Sequence, residues 1–207
     1  MDLSDFRVIP VVVLKDAARA AGLGDALVAG GLPVAEVTFR TTAAAEAIRI
    51  MSDNEGLLVG AGTVVSAAQV DQAVAAGAKF IVSPGLSRPV VEQARQHGVP
   101  VLPGAVTPSE IMAALELGLT TLKFFPAKVY GGISALKAFS APFAQVGFVP
   151  TGGVGADNLA DYLSLRNVTA VGGSWMVPAR AVDAGDFGLV RERCAEAAAI
   201  AASVKGA

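Results

Sequence analysis

The sequence predicts a single (β/α)8 barrel, the TIM-barrel form of the α/β class, with residues 1–207 as one domain. Three observations predict it. Short apolar runs rich in Val, Ile, Leu and Phe alternate eight times with longer Ala-rich segments that carry charges at helical spacing. A length of 207 residues suits one barrel with short connections. The signature G-x-G-x-x-G of an open dinucleotide-binding sheet does not follow the first apolar run.

The elements follow in order. A Val-rich run at 8–14 makes the first strand, and Asp16 opens a helix over 16–29. The second strand, 35–40, is apolar on alternate positions and leads into a helix at 42–52. The third, 57–61, precedes a helix at 67–75 that Gly77 terminates, and the fourth, 80–83, starts just after Lys79, where a solvated lysine belongs. A helix at 88–97 ends before Gly98, the fifth strand occupies 100–103, and a helix at 109–117 ends before Gly118. The sixth strand, 121–125, feeds a helix at 133–139; the seventh, 147–150, feeds one at 157–165; the eighth, 169–172, leads to a terminal helix at 186–204. Near-continuous hydrophobic strands alternating with helices imply a parallel sheet covered by those helices.

Composition narrows the function. The chain is 53% hydrophobic and 16% charged, which excludes disorder. Sixteen basic against eighteen acidic side chains, with no Lys/Arg run, lack the electrostatic footprint of a nucleic-acid or anionic-membrane binder. The start, Met1-Asp2-Leu3-Ser4-Asp5, is acidic where a secretory signal is basic. The longest charge-free stretch, 138–156, contains Pro142 and Pro150 and does not read as a membrane span. Cys194 is the only cysteine, so no intramolecular disulfide forms, and the expected compartment is the cytoplasm. One histidine, one cysteine and no acidic cluster give no metal site.

In such a barrel chemistry sits at the carboxyl ends of the strands. Polar residues that interrupt the apolar runs, or follow them, are therefore the candidates: Glu36, Thr38, Arg40, Thr63, Lys123, Thr151 and Ser174. Lys123 is the sharpest. Desolvation favours the neutral form of an amine, and a neutral amine attacks a ketone to form a Schiff base. Its plain alternative is a lysine that snorkels to solvent or pairs with a core carboxylate. Side chains alternate along a strand, so Glu36, Thr38 and Arg40 share the inward face of strand two, and Thr121, Lys123 and Phe125 that of strand six. Even-numbered strands supply the same interior layer, which sets Glu36 opposite Lys123 as a base facing an amine. Read structurally, the two would be a buried ion pair. Arg40 and Thr63 are donors suited to a carboxylate, with a rim charge and a strand-end hydroxyl as their plain alternatives. Thr151-Gly152-Gly153 and Gly172-Gly173-Ser174 follow strands seven and eight, where glycine lets backbone N–H groups approach phosphate. His97 reads as a helix-end residue, and Cys194, Trp175 and Met176 as packing.

Taken together, Glu36-Val37-Thr38-Phe39-Arg40-Thr41, Gly60-Ala61-Gly62-Thr63-Val64, Ser83-Pro84-Gly85, Pro103-Gly104, Lys123-Phe124-Phe125-Pro126-Ala127, Pro150-Thr151-Gly152-Gly153 and Gly172-Gly173-Ser174-Trp175 resemble the bacterial 2-keto-3-deoxy-6-phosphogluconate aldolases, in family order across nearly the whole chain. The resemblance implies a class I aldolase that cleaves the phosphorylated keto acid to pyruvate and glyceraldehyde 3-phosphate, with 4-hydroxy-2-oxoglutarate as a further substrate. No cofactor or metal is implied, and the assembly implied is a homotrimer. It implies that Lys123 forms the imine and Glu36 moves protons. Arg40 and Thr63 would hold the pyruvate carboxylate, Pro84 and Phe125 would wall the pocket, and Thr151, Gly152, Gly153, Gly173 and Ser174 would hold the phosphate end. Lys128-Val129-Tyr130 departs from the acidic or small residues frequent in relatives, and bears on substrate preference. Phe124 favours the gluconate-derived substrate over its galactonate epimer.

Two rivals use the same residues otherwise. A sugar-phosphate isomerase or epimerase would use Lys123 only electrostatically, and a non-enzymatic phosphometabolite-binding barrel would keep Lys123 and Glu36 as a structural pair.

Overall fold

The structure is a computed structural model that describes residues 5–204; the acidic start at residues 1–4 lies outside the described residues. Strands β1 (Val8–Val12), β2 (Val34–Thr38), β3 (Leu58–Gly62), β4 (Ile81–Val82), β5 (Val101–Leu102), β6 (Thr121–Phe124), β7 (Gly147–Pro150) and β8 (Val171–Gly173) alternate with helices. The helices are α1 (Ala20–Ala29), α2 (Ala44–Ser52), α3 (Ala67–Ala75), α4 (Arg88–Gln96), α5 (Pro108–Glu116), α6 (Gly132–Phe139), α7 (Leu159–Leu163), α8 (Ala179–Ala184) and α9 (Phe187–Ser203).

All strand pairs are parallel. Six strands run in the order β5-β4-β3-β2-β1-β8, and β6 pairs with β7. Single bridges close the ring at both seams: Gly104 with Lys123 between β5 and β6, and Phe148 with Val168 and Thr151 with Gly172 between β7 and β8. The alternation of side chains then divides the apolar residues into two sets. Ile9, Val34, Leu58, Phe80, Val82, Leu102, Val149 and Ala170 form one cluster inside the barrel. The intervening positions, among them Val8, Ala35, Val37, Val59, Ile81, Leu122 and Phe124, pack outward against the helices. Phe39 joins this outer set, as its parity predicts.

Beside the lysine on β6, Phe124 is fully buried and meets Phe139 of α6 and Phe148 of β7 edge-on, at centroid distances of 6.2 and 6.3 Å. Such contacts add roughly 0.5–1.5 kcal/mol each beyond the burial of the rings, so this strand is held firmly from outside. Arg7 ties β1 to the end of the chain by donating to the carbonyls of Leu163, Ala201 and Val204. Thr107 and Glu110 form a reciprocal cap on α5. Burial pushes the Glu110 carboxyl up, but the N–H of Val106 and the Thr107 side chain and N–H outweigh it and hold the group below the ordinary carboxylate range. His97 is a helix-end residue, as expected: it caps α4, and its Nε2 lies 2.6 Å from Asp71 Oδ1.

The predicted boundaries shift for local reasons. The strand expected over 35–40 stops at Thr38, because Arg40 N–H folds back to the Thr38 carbonyl at 2.8 Å. The helix expected over 16–29 opens as a 3-10 turn at Ala17–Arg19, capped by Asp16. The helix expected over 157–165 shortens to α7, because Asn158 bonds Gly155 N–H and the Gly153 carbonyl and holds the preceding residues as a loop. Helix α8 has no sequence counterpart: its six residues, bracketed by Pro178 and a left-handed Gly185, are too few to show a period. Among the described residues no helix is long and apolar enough to cross a membrane.

Helix α1 packs against α9, where a Cβ on Gly30 would overlap the Cβ of Cys194. Burial pushes the Cys194 thiol up to about 12, which leaves almost no thiolate at neutral pH. The folded protein is therefore expected to resist a disulfide reagent such as DTNB, with labelling only at the rate of unfolding. Rapid stoichiometric labelling under native conditions would contradict the packing of α9.

Candidate active site

The inward face of β2 carries Val34, Glu36 and Thr38, and that of β6 carries Lys123. Lys123 Nζ lies 2.9 Å from Glu36 Oε1 and 3.2 Å from Oε2. The two side chains are only 6% and 3% exposed. The amine thus meets both oxygens of one carboxylate in a place nearly closed to solvent, across the barrel as the parity argument predicts. Thr38 is buried beside the pair, but its hydroxyl donates to the Val12 carbonyl at 3.0 Å and so serves the backbone.

Space for the carboxylate comes from β3. Gly62 pairs with Thr38 in the ladder, and a Cβ there would overlap Glu36 Oε1 and come within 2.8 Å of its carboxyl carbon. One turn of the pattern earlier, a Cβ on Gly60 would overlap the Phe80 ring, so the two inward glycines of Gly60-Ala61-Gly62 admit a carboxylate above and an aromatic plug below. The Lys123 backbone is fixed on both sides: its N–H donates to Pro103 O at 2.8 Å, and its carbonyl accepts from Ala105 N–H at 2.9 Å. The Phe125 ring covers the ammonium, with its centroid 5.3 Å from Nζ, a cation–π distance.

A cavity of about 410 Å³ opens at the carboxyl end of the barrel, on the β1, β7 and β8 side. Its wall contains seven of the predicted site residues: Arg40, Phe125, Thr151, Gly152, Gly153, Gly173 and Ser174. Gly152 and Gly153 both have positive φ, 93° and 81°, a turn that L side chains resist. The N–H groups of Gly153 and Ser174 find no acceptor among the described residues, while the Thr151 and Gly152 carbonyls are held by Ala127 and Lys128 N–H. The strand-end loops thus face the cavity with donors. A second cavity, about 460 Å³, lies at the amino end of the barrel and is lined by Phe6, Ile9, Leu102, Val149 and other uncharged residues. Size alone therefore does not locate chemistry here; the titratable pair does.

The other four predicted residues are not on that cavity wall. Glu36 and Lys123 lie deeper, beneath Phe125. Thr63 and Pro84 flank them from the β3 and β4 ends, each through one glycine: Thr63 follows Gly62, and Pro84 O abuts Gly104, the bridge partner of Lys123. Thr63 is the one non-glycine residue with positive φ (57°) among the described residues. For a β-branched residue this conformation costs roughly 1–2 kcal/mol, and its hydroxyl has no partner among the described residues. Arg40 is corrected in one respect. The strand has ended before it, so its side chain does not point into the barrel interior but rims the cavity, exposed and without an ion pair to any described residue. Sequence reasoning missed Gly62, Gly104 and the cavity residues Val11, Val13, Pro178 and Ala179. Applying the inward parity to Gly62 as well as Glu36 would have found the first. Among the described residues no three His, Cys, Asp or Glu side chains gather closely enough to hold a metal ion.

The fold and this pair define an α/β barrel with a buried amine–carboxylate couple beneath an anion-suited cavity. The chain belongs to the KDPG and KHG aldolase family, whose profile matches residues 2–192. It is 49% identical over 189 residues to a 2-dehydro-3-deoxy-phosphogluconate aldolase of Treponema pallidum, covering 91% of this chain and 90% of that one. Among solved structures, the 2-keto-3-deoxy-6-phosphogluconate aldolase of Zymomonas mobilis, with 3-phosphoglycerate, is 43% identical with a TM-score of 0.90 and covers 98% of this chain and 93% of its own. The KDPG aldolase of Legionella pneumophila, with pyruvate captured as a covalent carbinolamine, also has 43% identity and a TM-score of 0.90, covering 93% and 94%.

Two substitutions test the geometry. Gly62→Ala forces Glu36 aside and is expected to cost about 1–3 kcal/mol, as overpacking does, with loss of activity; a variant as stable and active as the parent would refute the close approach. Thr63→Gly relieves the left-handed strain, so urea unfolding should show stability unchanged or raised by up to about 1 kcal/mol. A marked loss of stability would contradict the conformation at Thr63.

Proposed function

We propose that the chain is a class I aldolase that reversibly cleaves 2-keto-3-deoxy-6-phosphogluconate to pyruvate and glyceraldehyde 3-phosphate, and 4-hydroxy-2-oxoglutarate to pyruvate and glyoxylate. The observation that carries this reading is Lys123 Nζ bonded at 2.9 and 3.2 Å to the buried Glu36 carboxylate.

The chemistry follows from that contact. Glu36 accepts a proton from Lys123, and the neutral amine attacks the C2 ketone to give a carbinolamine. Glu36 returns the proton to the carbinolamine hydroxyl, water leaves, and a protonated imine remains. Glu36, again a carboxylate, takes the C4 hydroxyl proton; the C3–C4 electron pair moves into the imine, which expels the aldehyde and leaves an enamine of pyruvate. Protonation at C3, with Glu36 assisting, restores the imine; hydrolysis then frees Lys123 and pyruvate. Arg40, with its unpaired guanidinium, and Thr63, with its unpaired hydroxyl, hold the substrate carboxylate. Pro84 and Phe125 wall the reacting carbons and keep the amine from bulk water. The N–H groups of Gly153 and Ser174, with Thr151, Gly152 and Gly173, hold the phosphate end.

The same reading gives a homotrimer of single-domain barrels, each of residues 1–207, working in the cytoplasm without metal or organic cofactor, nucleic acid or membrane. Family likeness and the balanced charge of the chain support it.

The test is mass spectrometry after incubation with pyruvate and borohydride. A reduced pyruvate adduct confined to Lys123, and absent from Lys123→Ala, is expected. Well-folded protein that gives no adduct at any pyruvate concentration would return the chain to a sugar-phosphate isomerase or a binding barrel. Glu36→Gln removes the proton carrier while keeping the shape, and is expected to lower kcat by roughly 10²–10⁴-fold.

A further inference from the structure

We propose that Lys128 is a specificity residue that adds a charge contact for the phosphate end of the substrate, beyond the backbone donors of the β7–α7 loop. The inference rests on the aldolase reading above and deepens it. Lys128 is anchored to that loop by its own backbone, since its N–H donates to the Gly152 carbonyl at 3.0 Å. Its aliphatic stem then runs along Gly153: a Cβ on that glycine would overlap Lys128 Cβ and would stand 3.0 Å from Cδ and 3.2 Å from Cγ. Gly153 therefore lacks a side chain both for its left-handed turn and for the lysine packed on it. The ammonium, two bonds beyond Cδ, is thereby carried on a stem packed against Gly153, which lines the cavity.

This cation has no intrachain use. Lys128 is exposed and makes no ion pair, neither with Asp157 of the β7–α7 loop nor with any other described residue. Arg40, on the cavity wall, likewise makes no ion pair with a described residue. Lys123 is already neutralised by Glu36. A dianion placed on the Gly153 and Ser174 donors would lie on the glycine against which the Lys128 stem packs. The attraction acts through partly solvated space, so it is of moderate size and screened by salt.

The experiment compares Lys128→Met, which keeps the stem and removes the charge, with Lys128→Arg, which keeps both. The ratio of kcat/KM for 2-keto-3-deoxy-6-phosphogluconate over its dephosphorylated form is expected to fall roughly 3- to 10-fold in Lys128→Met and to be retained in Lys128→Arg. The parent's preference should shrink as NaCl rises, and the Met variant's should be flatter. The inhibition or dissociation constant of inorganic phosphate should rise by a similar factor in Lys128→Met. Equal ratios and equal phosphate constants in parent and Met variant would overturn the proposal, as would a deficit in Lys128→Met that Lys128→Arg shares. Pyruvate trapping on the parent separates the two failures: loss of the adduct strikes the aldolase reading, whereas direct phosphate binding reports on Lys128 alone.

Discussion

The contact between Lys123 and Glu36 is the constraint around which the barrel is arranged. Two ions removed from water are costly, and their mutual attraction offsets that cost only when geometry is close and each charge is fully engaged. Here both carboxylate oxygens face one ammonium. The carboxylate fits only because Gly62 has no side chain, and the ammonium is covered by an aromatic face in place of water. Removing either partner would leave an uncompensated buried charge, so the pair is poor material for stability alone. On the proposed reading its use is chemical, as two proton-carrying groups already in contact.

The barrel holds that geometry mostly from outside. Residues flanking the two strands face the helices: Ala35 and Val37 beside Glu36, Leu122 and Phe124 beside Lys123, all at or near zero exposure. The ring of Phe124 is locked among Phe139 and Phe148, so the strand cannot rotate to turn Lys123 away. The seams of the barrel coincide with the site. Between β5 and β6 the bridge uses Lys123 itself, and between β7 and β8 one bridge uses Thr151. Sheet pairing is thinnest where the carboxyl ends must splay to admit a ligand, and the loop residues Pro103 and Ala105 satisfy the backbone of Lys123 in its place.

What the sequence made legible followed the reach of one rule. Alternation of side chains located Glu36 and Lys123, because both sit inside extended segments where the period of two holds. It misplaced Arg40, because the chain turns after Thr38 and parity has no meaning beyond an extended backbone. Phe125, just past the end of β6, came to border the site through the ring it lays over the ammonium. The left-handed Thr63 could not be read at all: nothing in a threonine announces positive φ, and local propensity argues against it. The eight units were plain from their apolar runs, although β4 and β5 pair over only two residues each, since burial extends beyond the hydrogen-bonded ladder. Helix α8 was missed for want of length.

Charge completes the argument. The chain carries a formal net charge of −2, which says nothing of an anionic ligand. At the mouth of the barrel the balance is different. Lys123 and Glu36 cancel, Lys15 is paired with Asp183, and Arg40 on the cavity wall makes no ion pair with a described residue. To it is added a cavity-lining loop built on two consecutive left-handed glycines. A cleft of one sign is set by which charges lack partners and not by the sum over the surface. On the proposed reading, such a mouth suits a ligand with an acidic group at each end and leaves the middle of that ligand toward the contact between Lys123 and Glu36.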